Sequence, residues 1–156
     1  MDTTTQPLIH DRFVRVIQAT TPVYAYLGDV PWAYVEELPG EVSGPEIRRF
    51  TIDMTIAEPV DNGLFSDGEE YSFLLEINVA YGALPKEHAP WLITQDSVDL
   101  RTVLEAQLSP TLTGLLAVRR LTFEPSSDER GHWYGTHGFS VHYMHKTDLT
   151  VIPDPP

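Results

Sequence analysis

Four of the six histidines, His132, His137, His142 and His145, fall in one stretch, HWYGTHGFSVHYMH. Neutral imidazoles in that number are the raw material of a zinc, copper or iron site. Such a site needs its donors to converge from one face, with carboxylates behind them to hold the rings. Along a strand, side chains alternate, so His137 and His145 share one face and His132 and His142 the other. His142 and His145 then point to opposite sides. The spacing favours histidines on a sheet surface or at an interface, and no metal is expected.

The remaining reaction classes find less to work with. The chain has no cysteine, so it has no thiolate nucleophile, no thiolate zinc site and no disulfide. No G-x-S-x-G elbow is present; Ser43 in VSGP and Ser126-Ser127 in PSSDE are turn residues. PGEVSGP holds two prolines and leads into no helix, so it is not a phosphate loop. The 23 Asp and Glu are spread over loops and charged strand faces, where they read as a solvated acidic surface rather than an acid–base pair. The expectation is a protein that is not an enzyme, with no catalytic residue and no cofactor. Trp32, Trp91 and Trp133 each sit beside a loop or strand end, and such residues anchor cores or interfaces.

Composition sets the wider bounds. At 156 residues, with 42% hydrophobic and 21% charged residues, the chain reads as one domain over 1–148 with a proline-rich tail at 149–156. No apolar run approaches the roughly 20 residues that span a bilayer, and MDTTTQPLIHD lacks the features of a secretory signal, so no membrane association is expected. The absence of cysteine is consistent with synthesis in a cytoplasm. The net charge of −13 argues against direct binding to nucleic acid, which relies on clustered Lys and Arg. An acidic surface can still face DNA by repelling it, as in a channel through which DNA slides.

These residues must be positioned by an ordered series of elements. TQPLIHDRFVRVIQAT, residues 5–20, predicts a helix capped by Thr5, with Pro7 in the first turn and Ile9, Phe13, Val16 and Ile17 inward; Arg12 and Arg15 lie toward the other side. VYAYLGDVPWAYVEELPGE predicts short strands or an extended hairpin. RRFTIDMTIAE, 48–58, alternates with Phe50, Ile52, Met54 and Ile56 on one side. EYSFLLEINVAYG, 70–82, is its antiparallel partner, with Tyr71, Phe73, Leu75, Ile77, Val79 and Tyr81 on one face and Ser72, Glu76 and Asn78 on the other. The connection between them is long and acidic, and its Leu64-Phe65 pair is awkward at a tip unless a partner covers it. A second helix is expected at about 95–108, capped by Thr94, with Asp96 and Asp99 facing the helix dipole and Val98, Val103, Leu104 and Leu108 inward. LTGLLAVRRLTFEP and WYGTHGFSVHYMHK make a final hairpin, with Phe139, Val141, Tyr143 and His145 on one face. The sum is an α+β fold: a single antiparallel or mixed sheet, two main helices on one face, and a long hairpin extension.

The opening helix LIHDRFVRVIQAT, the strands RRFTIDMTI and FLLEINVAYG, the helix WLITQDSVDLRTVLEAQL and the closing strand HGFSVHYMH follow one another in an order that resembles the tail terminator (tail completion) proteins of long-tailed phages. The resemblance covers roughly residues 7–146 and rests on order and spacing. VYAYLGDVPWAYVEEL has no counterpart in that pattern, and the acidic hairpin connection is longer than it requires. The resemblance implies a virion structural protein, made in the host cytoplasm. It would form a homo-oligomeric ring, usually a hexamer, at the head-proximal end of the tail tube. The ring would end tube polymerisation and meet the tail tube protein and the head–tail connector or neck proteins, with DNA only passing through its lumen. The expected contact residues are Asp61, Leu64, Phe65, Asp67 and Glu69 on the hairpin, with Trp32, Trp91, Arg12 and Arg15. Two other readings stand beside it: another head–tail joining, neck or minor tail protein, and a small metal- or ligand-binding domain using His132–His145.

Overall fold

The computed structural model of the protein describes residues 4–39, 47–60, 69–108 and 110–145. The first helix, α1 (Gln6–Gln18), begins as its capping signal dictates: the Leu8 amide donates to Thr5 Oγ1 at 3.3 Å, and Pro7 occupies the first turn. Its buried stripe is Ile9, Phe13 and Ile17, with Val16 half-buried.

The sheet is assembled around one long strand. β4 (Glu69–Ala83) pairs on one side with β2 (Arg49–Met54) and β3 (Glu58–Pro59), and on the other with β6 (His132–His145). β5 (Leu115–Ser127) forms one edge and the two-residue β1 (Ala33–Tyr34) the other, in the order β1-β2-β4-β6-β5. β1 runs parallel to β2, so the sheet is mixed; the fold is α+β with one sheet, as expected. Phe73, Leu75, Ile77, Val79 and Tyr81 of β4 join Phe139, Val141 and Tyr143 of β6 in a core that takes in the buried faces of α1 and α2. The other face of the sheet is polar over most of its area.

Three expectations are corrected. Of the two alternatives for the residues between α1 and β2, the hairpin does not form, and the short strands reduce to one, Ala33–Tyr34, with turns and bends filling 24–30. Ile56 does not face inward but is 89% exposed. Met54 pairs with Leu75 and Glu58 with Ser72, so four residues advance against three and the alternation slips by one. The second helix, α2 (Ala89–Glu105), starts six residues before the expected position, with Pro90 in its first turn and Thr94 inside it rather than at its cap. Its buried face is Leu92, Ile93, Asp96, Leu100 and Leu104, so Val98 lies outside and Leu100 inside. The tail 149–156 lies outside the described residues.

Asp96 explains the turn-rich segment. Both carboxylate oxygens accept from Arg48, Oδ2 from Nε at 2.8 Å and Oδ1 from Nη2 at 3.3 Å, and both side chains are wholly buried. Arg48 Nη1 also donates to the carbonyls of Leu27 (2.6 Å) and Val30 (3.0 Å). One turn on, Asp99 accepts from the Val23 amide at 3.2 Å. The segment's backbone groups are therefore satisfied by its own turns, by α2 and by Arg48 rather than by a sheet ladder. Arg48 holds φ +62 and Leu27 φ +55, a conformation that costs of order 1–3 kcal/mol for such residues and persists because these bonds over-determine it.

Burial pushes the Asp96 carboxyl up to about 6, against the downward pull of the Arg48 guanidinium. A carboxyl raised in this way favours folding fully below its unfolded pKa, and that advantage is lost as pH rises through about 6. At neutral pH the pair's value lies in filling the hydrogen-bond needs around it. Arg48→Met is expected to lower stability by about 3–5 kcal/mol in urea titration, because it strands Asp96 without a partner. Adding Asp96→Leu should restore part of the loss, leaving about 1–3 kcal/mol for the Val30 carbonyl, since the Leu27 carbonyl still accepts from the Val30 amide. A double variant no better than the single would refute this account.

Candidate interaction surfaces

The solvent face of the sheet carries an unusual pairing. Asp53 and Glu76 lie directly opposite each other on β2 and β4, an arrangement that places two like charges cross-strand. Asn78 holds them together: its Nδ2 donates to Asp53 Oδ2 at 3.2 Å and to Glu76 Oε1 at 3.0 Å. Asn78 is fixed in turn because Thr136 Oγ1 donates to its Oδ1 at 3.1 Å, while the two carboxylates, which can only accept, require the NH2 group on their side. Among the described residues, neither carboxylate has a cationic partner.

Beside this ladder runs a groove of about 380 Å³, lined by Asp53, Thr55, Leu74, Glu76, Leu121 and Gly138 among others. Leu74 occupies the polar parity of β4 and is 53% exposed. Leu121 reaches the same face for a different reason. The β5–β6 register slips between Arg120 and Thr122, and the extra residue, Leu121, is left 52% exposed. Gly138 floors the groove, and a Cβ there would collide with Thr122 Oγ1. A second depression of about 440 Å³ adjoins it, sharing Thr55 and Leu74 and extending to Ile56, Glu58, Ser72 and Ser140.

The helix layer presents a separate apolar surface. Trp91, 69% exposed, and Val98 stand two turns apart on the side of α2 that faces away from the sheet. Trp91 is thus on the surface, as its expected contact role requires. Trp32 is not: it is 2% exposed, packed edge-on against Phe50, and unavailable as a contact residue. Arg12 is occupied internally, its Nε donating to Gln107 Oε1 at 2.9 Å and tying α1 to the end of α2, whereas Arg15 is exposed. Asp61, Leu64, Phe65 and Asp67 lie outside the described residues; Glu69 opens β4 opposite His145.

The histidines disperse over two faces as their parity predicts, but His137 lies in the core rather than on the sheet surface or at an interface. His142 lies 3.6 Å from Glu70, His132 stands by Asp128, and His145 Nδ1 donates to the Thr4 carbonyl at 3.3 Å. His137 is wholly buried, stacked on Phe123 with centroids 5.1 Å apart, and neither ring nitrogen has a partner among the described residues. No group of three potential ligands among the described residues is placed to hold a metal.

No family model and no curated protein matches the chain.

Burial, helped by the nearby Arg120 guanidinium, pulls the His137 imidazole down to about 3. A histidine depressed in this way supports folding above its unfolded pKa near 6.5 and withdraws that support as pH falls toward 3. The volume-conserving change His137→Leu should therefore remove part of the acid-side loss. Stability of wild type relative to the variant should decline between pH 7 and pH 4 in parallel denaturant titrations. A constant difference would show that His137 is not held neutral.

Proposed function

We propose that this protein is a virion structural protein of the tail-terminator kind, forming a ring at the head-proximal end of a tail tube and joining tail to head. The observation that carries the reading is the pair of apolar surfaces on opposite layers of one small domain, Trp91 with Val98 on α2 and Leu74 with Leu121 on the sheet. A protein that repeats around a ring and also meets a different neighbour needs more than one kind of contact surface. Exposed tryptophan is the residue type most often found at the energetic centre of such contacts.

The sheet edges favour contact through side-chain surfaces over strand addition. β1 has only two residues, and β5 carries two register slips and Pro125 along its length. Bulges and proline on an edge discourage another chain from pairing with it. The net charge of −13 suits a conduit that must let DNA pass without holding it. The hairpin connection between β3 and β4 belongs to the same proposal, as a reach toward a neighbouring subunit or the tube.

Light scattering across a concentration series tests the reading. Wild type is expected to grow toward a closed ring of discrete mass. Trp91→Glu with Val98→Glu should remain monomeric with an unchanged thermal transition, since both side chains are outside the core. Equal masses for the two proteins would remove the α2 surface from the assembly.

A further inference from the structure

We propose that the groove on the solvent face of the sheet binds an extended, basic and aliphatic segment of a partner protein. An aliphatic side chain sits over Gly138 between Leu74 and Leu121, and a lysine or arginine beside it pairs with Asp53 and Glu76. The inference deepens the assembly reading and rests on it for the partner being a different protein of the same virion.

Three features specify that occupant. The groove walls are apolar at Leu74 and Leu121, while one rim carries two carboxylates held side by side by Asn78. The cross-strand repulsion between Asp53 and Glu76 has no cation to relieve it among the described residues, so a bound cation gains from both charges at once. The adjoining depression around Ile56, Ser72 and Ser140 shares Leu74, and Glu58 extends the acidic rim along it. The two hollows together suit a chain lying extended rather than a compact small molecule. Gly138 is essential to this shape, since a side chain there meets Thr122 and fills the floor.

Charge also argues against a second copy of this chain as occupant. Against 23 acidic residues it has ten Lys and Arg. Of these, Arg48 is buried on Asp96, Arg12 is bonded to Gln107, Arg101 is paired with Glu105, and Arg120 donates to the Ser97 carbonyl. Exposed Arg15, Lys86 and Arg119 remain, but a neighbouring copy brings them with its own net charge of −13, so approach to this acidic rim is repulsive overall. A partner richer in lysine and arginine meets it directly.

The test uses the full-length protein, with methyl groups labelled for NMR and the capped peptide GKLRG as the probe. GELEG reverses its charges and GKGRG lacks its aliphatic side chain. Saturable shifts of the Leu74 and Leu121 methyls are expected with GKLRG, weakened about fivefold or more by Asp53→Asn with Glu76→Gln and by either control peptide. Rising salt should weaken binding to wild type as well. No saturation with GKLRG up to on the order of 10 mM overturns the proposal. So do equal affinities for GKLRG and GELEG, or shifts centred away from the groove. Light scattering of Leu74→Glu supplies the remaining arm: loss of self-association in that variant alone would show that a second copy covers this face, and would overturn the choice of partner. Because ring formation is read from the Trp91 and Val98 variant and groove binding from the methyl shifts, either can fail without the other.

Discussion

The buried ion pair between Arg48 and Asp96 is the contact on which the arrangement at the β1–β2 edge depends. It joins the start of β2 to the middle of α2 across 48 residues of sequence. Through the remaining guanidinium donors it also gathers the carbonyls of Leu27 and Val30. Two wholly buried charges are expensive to desolvate, so such a pair adds little to stability by its attraction alone. Its consequence is geometric. Residues 21–32 have no ladder of their own beyond two turn bonds, Gly28 to Ala25 and Val30 to Leu27, and without Arg48 and Asp99 the Val30 carbonyl and the Val23 amide would lose their partners. Tyr81 lies in the same surroundings, where burial first and then the nearby Asp96 carboxylate keep its phenol protonated well above its usual range.

Fixing that edge lets the two faces of the sheet take separate roles. The inner face is closed by α1 and α2 over the aromatic and aliphatic residues of β4 and β6. On the solvent face, Val30, Ile47 and Ala80 form a small second cluster near the end of β4, with Leu38 and Tyr134 against it. The 27–38 segment therefore covers one end of that face and leaves the region around Asp53, Leu74, Glu76 and Leu121 open. The position of the groove follows from where this cover stops.

An assembly protein must keep its exposed apolar residues from joining unintended partners. Among the described residues the large exposed ones are spread over the surface: Trp91 and Val98 on a helix, Leu74, Leu116 and Leu121 on the sheet, and Val23 and Ile56 in connecting segments. The surplus of acidic residues adds mutual repulsion between copies, which opposes casual association while leaving room for a complementary partner.

Much of the fold is legible in local pattern. The cap at Thr5, the alternation of 70–82, the final hairpin and the dispersal of the histidines across two faces all follow from periods of 3.6 and 2 and from turn chemistry. The polar side of the candidate groove is legible too, since Asp53 on β2 and Glu76 and Asn78 on β4 each fall on the polar face of their own strand. Its apolar side is not. Leu121 is exposed by a register slip, and Gly138 matters because of what stands across from it on β5. The assignments that only the tertiary structure decided are Trp32 inside, Val98 outside and Leu100 inside, Ile56 thrown outward, and Asp96 as the partner of Arg48 rather than a residue serving its helix dipole. The physical reason is common to them. Alternation and capping are set by neighbours along the chain, whereas burial and charge pairing are set by whichever distant segment comes to lie against a residue, and no short window of sequence contains that segment.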